Sequence, residues 1–335
     1  MKKVIKTVID YIKDEYKFII ICALIIFLGL YKLPYNLYTG GGIIDISDKV
    51  VVEGGEKNEG SLNMAYVNQV RATIPSYLLS YIFDWDREKV SETLIDENDS
   101  PDDLWERERL YMEEANTSAL ISAFNLANEN IDIIKDKAIV LYITNEAKTD
   151  LKIGDEILNI EGVIIKDIND LSDIVNKHQV GDKISIKVLR NNKEIDCNGE
   201  IITIDDTKKI GVALIKNYEY RTNREVKFDF DSNEAGPSGG LMLSLEIYNQ
   251  LVSEDITNGY KIAGTGTIDE KGNVGTIGGV KYKVKGAESD KAKVFFVPSG
   301  NYDEAIKVKE EHNYKIEIVK VDKISDAINY LREMK

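Results

Sequence analysis

The stretch from Glu225 to Leu251, EVKFDFDSNEAGPSGGLMLSLEIYNQL, constrains the fold more than any other. EVKFDFD alternates, placing Val226, Phe228 and Phe230 on one face of a half-buried strand. LMLSLEIYNQL reads as a buried helix, and Gly236-Pro237-Ser238-Gly239-Gly240 must turn the chain sharply between the two. Ser238 then stands at a helix N-terminus, where unpaired amides and the positive end of the helix dipole can stabilise an oxyanion. That position suits a nucleophile attacking a carbonyl. It equally suits an N-cap, a common serine role, and this stretch leaves both readings open.

GTIGGVKYKVKGA, Gly275 to Ala287, bears on the choice. A helix starting near Gly279 places Val280, Val284 and Ala287 at i, i+4 and i+7, its buried face. At about 100° per residue, Lys283 falls within about 60° of Val280 and about 40° of Ala287, whereas Lys281 and Lys285 point outward. A desolvated lysine titrates lower and can become a neutral amine able to take a hydroxyl proton. The same phase also fits a lysine that snorkels out from the edge of the buried face. The only histidines, His178 and His312, do not supply a Ser-His-Asp triad or a His-rich zinc site.

The chain has 335 residues, 43% of them apolar, enough for two or three packed domains. Its 43 Lys and Arg against 58 Asp and Glu give a net charge of -15, which opposes binding to nucleic acid or anionic lipid by the bulk of the protein. The cysteines, Cys22 and Cys197, read as space-fillers without a disulfide. The acidic run DENDSPDDLWERER reads as a solvated loop entering a helix near Pro101 rather than a metal site, and no cofactor is expected.

FIIICALIIFLGLY, Phe18 to Tyr31, is uncharged and flanked by Tyr16, Lys17, Lys32, Tyr35 and Tyr38. Tyr16 to Tyr35 is long enough for one bilayer crossing, with a cleaved secretory signal as the rival; no Ala-x-Ala cleavage site follows. Lys2, Lys3, Lys6, Lys13 and Lys17 before the span favour a cytoplasmic N-terminus. The expectation is a single-pass cell-membrane protein with its working part extracytoplasmic.

Beyond the anchor (1–40), Gly40-Gly41-Gly42 reads as a flexible break. IIDISDKVVVEGG and SLNMAYVNQV then read as a strand hairpin, and Pro75 to about Ile133 mainly as helix, within a segment 41–135. In 136–206, AIVLYIT, DEILNIEG and KISIKVLRN are β-rich runs separated by LKIGD, a helix near Ile168 to His178, and a VGD turn. This unit resembles a PDZ domain of the bacterial protease-associated type, through Leu151, Gly154 and Asp155, DLSDIV and GDKISIKVLRNNK. The resemblance implies that an extended protein or peptide adds as a strand beside AIVLYIT, with Lys137, Ala138 and Ile139 as the peptide-binding loop. A spacer or gate for its neighbour is the other reading.

Residues 207–335 resemble the proteolytic domain of the Lon family, Ser-Lys dyad serine proteases. GPSGG stands where that family has Gly-Pro-Ser-Ala-Gly, and IGGVKYK where it has Ile-Gly-Gly and two lysines, the second being the base. The resemblance implies Ser238 and Lys283 as the dyad, Thr265 beside it, and Gly236 and Gly239 as motif glycines. Departures are Gly239 for the usual alanine and Ala235 at a position usually acidic, with Glu234 one step earlier. There is no G-x-x-x-x-G-K-[ST] nucleotide loop. The order of anchor, PDZ and Lon-type domain resembles membrane-anchored, ATP-independent PDZ-Lon proteases of Gram-positive bacteria, which also implies a possible homo-oligomeric ring.

The expected fold is therefore α+β: an N-terminal transmembrane helix, a PDZ domain, and a Lon-type α/β domain completed by early strands around the inserted PDZ unit. The expected activity is ATP-independent endoproteolysis of unfolded or flexible extracytoplasmic chains. The alternatives are a catalytically silent PDZ adaptor, which the departures at Ala235 and Gly239 keep open, and a membrane scaffold.

Overall fold

The computed structural model describes residues 2–56, 59–83, 85–90, 100–165, 169–231 and 236–334. The chain divides into two compact units, Met1–Gly40 with Val67–Glu97, and Gly41–Tyr66 with Asn98–Lys335. In chain order the first elements are α1 (Lys2–Leu30), β1 (Lys32–Asp45), β2 (Val50–Val52), β3 (Ser61–Thr73), α2 (Ile74–Leu79) and β4 (Asp86–Lys89). Strands β1 and β3 each pass from one unit into the other.

In the smaller unit, β4 pairs antiparallel with β1 from Tyr35↔Lys89 to Tyr38↔Asp86. The expected crossing from Tyr16 to Tyr35 does not form as one helix, because α1 stops at Leu30 and Tyr35 and Tyr38 lie in β1. Among the described residues no helix is long and apolar enough to cross a membrane. The uncharged helical run from Phe18 to Leu30 rises only about 20 Å, against a hydrocarbon core of about 30 Å. α2 is capped by Thr73, whose hydroxyl accepts from the Ser76 amide while the Ser76 hydroxyl accepts from the Thr73 amide.

The larger unit continues with α3 (Pro101–Ala127), β5 (Ile131–Ile143), β6 (Glu156–Ile160), β7 (Val163–Ile164), α4 (Asn169–Lys177), β8 (Lys183–Arg190) and β9 (Lys193–Glu200). Next come β10 (Ile202–Ile204), β11 (Thr207–Lys209), β12 (Val212–Thr222), β13 (Val226–Phe228), a 3-10 turn at Pro237–Gly239, and α5 (Gly240–Leu251). The chain ends with β14 (Lys261–Gly264), β15 (Thr267–Ile268), β16 (Val274–Gly275), α6 (Val280–Ser289), β17 (Val294–Pro298), α7 (Tyr302–His312), β18 (Glu317–Val321) and α8 (Ile324–Glu333). α3 starts where its sequence says it should: Ser100 and Asp103 form a reciprocal capping box with Pro101 in the first turn.

A largely parallel sheet ordered β18-β17-β14-β3-β1 forms the centre of this unit. β14 pairs parallel with β3 (Ile262↔Leu62, Gly264↔Met64) and with β17 (Ile262↔Val294, Gly264↔Phe296). Alternation along these strands sorts the two faces. Leu62, Ile262, Val294 and Phe296 join α3, α5 and α8 in one core, whereas Ala263, Phe295 and Val297 join α6 and α7 in another. Ser238, at the start of α5, and Lys283, on α6, thus belong to helices on opposite faces. Such helices can meet only beyond a strand end, here the carboxyl end of β14.

The early residues bear out one expectation in part and correct another. IIDISDKVVVEGG does meet SLNMAYVNQV, but through its first residues: β1, ending at Asp45, is the sheet neighbour of β3, and the Ile46 amide bonds Leu62 O at 3.2 Å. The VVV part instead forms β2, antiparallel to β13 (Val52↔Val226, Val50↔Phe228), and the other side of β3 lies beside β14. Gly40-Gly41-Gly42 is not a break but the middle of β1. These glycines serve close approach, since a Cβ on Gly41 would lie 2.1 Å from the Tyr66 carbonyl oxygen. Among the described residues the stretch from Pro75 to Ile133 is mainly helical, as expected, through α2 and the long α3, with β4 between them and β5 beginning at Ile131.

The inserted β unit is a sheet ordered β12-β5-β6-β8-β9, with β7 on β6. It reaches beyond 136–206, because β5 starts at Ile131 and β12 follows at Val212. Ile157, Ile160, Ile184, Ile186 and Val188 form its core with Ile174 and Val175 of α4. The LKIGD turn has a clear physical basis. Gly154 takes φ 88°, and fully buried Asp155 accepts two 2.6 Å hydrogen bonds from the Arg190 guanidinium and one of 2.7 Å from the Lys152 amide.

Candidate active site

The turn that carries Ser238 is built from conformations that only its own residues permit. Gly236 has φ 143° and ψ 144°, a region closed to most side chains, and it delivers the chain to the single 3-10 turn Pro237–Gly239. Ala235 and Glu234 lie outside the described residues. α5 then begins without any side-chain cap, so Ser238 is not the N-cap that its position allowed. Its Oγ instead lies 2.9 Å from Lys283 Nζ.

Lys283 is 4% exposed, on the face of α6 that also buries Val280, Val284 and Ala287, while Lys285 points to solvent. Helical phase therefore selects the same lysine in the fold as in the sequence. Desolvation pushes its ammonium down to about 8, so about a tenth of the amine is neutral at pH 7, far more than for an ordinary lysine. α6 is brought in close by a small-residue contact with β1: a Cβ on Gly286 would lie 3.0 Å from the Gly42 Cα.

Thr265, fully buried just after β14, completes the cluster. Its Oγ1 lies 3.0 Å from the Ser238 carbonyl oxygen and 3.0 Å from Lys283 Nζ. A hydroxyl has one proton, and the carbonyl can only accept, so the Thr265 proton goes to Ser238 O. Lys283 must then donate to Thr265. In the neutral amine this fixes one N–H and leaves the lone pair free to take the Ser238 hydroxyl proton. The Gly266 amide bonds the same Ser238 carbonyl at 2.8 Å, and the Thr265 amide bonds Phe296 O at 3.0 Å, tying the nucleophile turn to the sheet.

Gly239 and Gly240 are required by what faces them. A Cβ on Gly239 would lie 2.0 Å from Met64 Sδ, and one on Gly240 would lie 2.9 Å from the Ile268 amide nitrogen. The departure from alanine at 239 thus has a partner, Met64 of β3. Sequence reading missed Met64, for nothing in SLNMAYV marks one residue as facing the turn. It also missed Asn301, whose side chain donates to Ile277 O at 3.0 Å and accepts from Ile277 N at 2.9 Å. That clamp holds the segment leading into the lysine helix.

The peptide-binding assignment is corrected. Lys137, Ala138 and Ile139 lie in β5, an interior strand paired with β12 on one side (Lys137↔Asn217, Ala138↔Lys216, Ile139↔Ile215) and with β6 on the other (Ala138↔Ile157, Ile139↔Glu156). With both backbone edges occupied, no strand can add there. Lys137 is 3.9 Å from Glu156, and Ala138 and Ile139 are buried. Among the described residues β12 pairs on one side only. Its Val212 and Leu214 belong to the same core as Leu171, Ile174 and Val175 of α4.

Comparison with known proteins finds two family matches, both within the larger unit. Residues 231–333 match the profile of the Lon protease (S16) C-terminal proteolytic domain, and residues 124–201 match that of the PDZ domain. An archaeal Lon protease of Archaeoglobus fulgidus is 30% identical over 125 residues, 36% of this chain and 20% of its own. A Lon protease of Mycoplasma mobile is 25% identical over 227 residues, 60% of this chain and 27% of its own. The chain thus spans about a fifth to a quarter of the length of these relatives. The PDZ domain of an SdrC-like protein from Listeria monocytogenes is 23% identical, covering 25% of this chain and 93% of that one, with a TM-score of 0.23. The chain carries a Lon-type proteolytic domain and a PDZ domain, and the first supports a serine-type peptidase.

Proposed function

We propose that this chain is a serine endopeptidase in which Ser238 is the nucleophile and Lys283 the general base. The observation that carries the reading is the 2.9 Å contact between Ser238 Oγ and a buried amine lowered to about 8. As Oγ attacks the scissile carbonyl carbon, its proton passes to Lys283 and the carbonyl electrons move to oxygen. The Gly240 amide is bonded to Pro237 O and the Leu241 amide to Gly266 O, so the amides of Ser238 and Gly239 are the candidate oxyanion donors. Collapse of the tetrahedral adduct expels the amine, which takes the proton back from Lys283, and leaves an ester on Ser238. Water then attacks the ester with Lys283 again as base, releasing the acid and restoring the hydroxyl.

The sequence carries no nucleotide-binding loop, so these residues are proposed to act without ATP on chains already unfolded or flexible. A substrate strand is proposed to add to β12 beside α4 rather than at Lys137 to Ile139, giving the PDZ unit a presenting role. Tethering to a membrane through α1 is supported by its exposed Phe18, Ile20, Ile25 and Leu30. The test is digestion of an unfolded casein-like protein by the full chain, beside Ser238→Ala and Lys283→Ala. Equal digestion by all three removes the dyad, and digestion by none leaves the silent adaptor.

A further inference from the structure

The end of α2 and the turn after it hold large apolar side chains in solvent. Leu78, Tyr81, Ile82 and Phe83 are 62, 63, 74 and 56% exposed. Scattered apolar residues on a surface need no explanation, but a contiguous row of this size does. The segment is not a frayed end. Tyr77 packs on Tyr35 at 4.9 Å and on Tyr81 at 5.7 Å, Phe83 stacks on Trp85 at 5.5 Å, and the Arg87 guanidinium sits 4.0 Å over the Tyr81 ring. The row is thus held outward by a built aromatic scaffold.

α2 packs against α1 in the same unit. Between Phe18 and Leu30, α1 itself exposes nine large apolar residues. At about 100° per residue these leave no face wider than about 80° uncovered. A helix apolar on every side belongs in the core of a large protein or in a membrane, and these nine side chains are exposed rather than enclosed in a core, which leaves the lipid phase. The occupant of the adjoining α2 surface follows from that continuity.

We propose that residues 74–83 together with Trp85 form a second membrane-contacting element, seated in the bilayer interface beside α1. The side-chain chemistry fits: Tyr77, Tyr81 and Trp85 have apolar bodies with polar tips suited to the headgroup level, while Leu78, Ile82 and Phe83 are wholly apolar. Seating would bury the row ~5–10 Å into the headgroup and acyl boundary. It would also explain why α1 need not be long enough to cross on its own. The inference rests on the reading of α1 as a tether.

The chain has two tryptophans, Trp85 in this segment and Trp105 in α3, which makes the test direct. Full-length protein carrying Trp105→Phe is mixed with phosphatidylcholine and phosphatidylglycerol vesicles whose acyl chains are brominated. The expected result is flotation with the vesicles and quenching of Trp85 emission by about twofold, as a ring at the acyl boundary requires. In Leu78→Ser/Ile82→Ser protein, flotation through α1 should persist while the quenching is lost. Flotation with unquenched Trp85 would overturn the inference and leave the α1 tether standing. Failure to float would remove both. Concentration-dependent blue-shifted emission without lipid would assign the surface to a second copy of the chain instead.

Discussion

Gly239 and Met64 share one space: a Cβ on Gly239 would fall 2.0 Å from the Met64 sulfur and 3.1 Å from its Cγ. The bare glycine next to Ser238 is therefore matched to a large side chain on β3. We expect Gly239→Ala alone to cost 1–3 kcal/mol, roughly the overpacking range, and to lower activity by displacing the turn. Adding Met64→Ala should recover much of both losses. A double-mutant cycle on thermal stability and peptide turnover checks this; additive effects would show that the two residues are not coupled.

Activity should depend on an uncharged Lys283. Because the amine must be neutral to accept the Ser238 proton, kcat should fall about tenfold for each pH unit below the lysine pKa of about 8 and level off above it. Lys283→Met should lower kcat by ~10²–10⁴-fold, the usual worth of a general base. Lys283→Arg should be no better, since a guanidinium stays protonated. A pH-rate profile with its inflection near 6.5 instead would exclude the lysine as base.

The same lysine should cost the protein stability at neutral pH. Its folded pKa, about 8, lies below the ~10.4 of an unfolded lysine, so the unfolded state binds more protons between those values and stability rises with pH across that window. Below pH 8 the full cost, ~3 kcal/mol, remains. Lys283→Met should therefore melt higher than the wild type at pH 7, with the gain shrinking by pH 10. Thermal melts at the two pH values test the sign; an equal gain at both would mean that packing, not ionisation, is responsible.

How much of this was legible in the sequence follows from the range of the interactions involved. The face of α6 that carries Lys283 is set by a period of about 3.6 residues within one segment, so the sequence displays it. The strand-turn-helix around Ser238 and the Ser100 cap are equally local. Pairing is not. Nothing in AIVLYIT tells whether one or both of its edges are occupied, and the partner that closes the second edge, β12, starts some 70 residues later. Gly40-Gly41-Gly42 reads as a break until Tyr66 and Gly286 are seen crowding it. The Met64–Gly239 contact joins two strands' neighbourhoods that only the sheet order brings together.

Relocating the peptide edge to β12 has a spectroscopic consequence. If a substrate strand adds there, backbone amides from Val212 to Ile215 should shift on titration with an unfolded peptide, while those of Lys137, Ala138 and Ile139 stay closer to their free positions. Lys137→Ala should leave peptide affinity unchanged within about twofold, since its ammonium lies 3.9 Å from Glu156 and its backbone is already paired. Shifts confined to 137–139 would contradict the sheet order.

Thr265 separates positioning from proton transfer. Its hydroxyl donates to the Ser238 carbonyl and accepts from Lys283, so it aims the amine lone pair without touching substrate. Thr265→Val keeps the shape but removes both bonds, leaving a half-buried Ser238 carbonyl with only the Gly266 amide and a lysine free to rotate. We expect kcat to fall by ~10–100-fold, the scale of about 1.4–2.7 kcal/mol, with KM little changed. Thr265→Ser restores the hydroxyl and should recover most of the rate. The pH profile decides between this and simple loss of packing: with the aim lost but burial kept, the Thr265→Val inflection should stay near pH 8 at a lowered plateau. An inflection moved toward 10 would mean that water has reached Lys283 and that Thr265 acts by filling space.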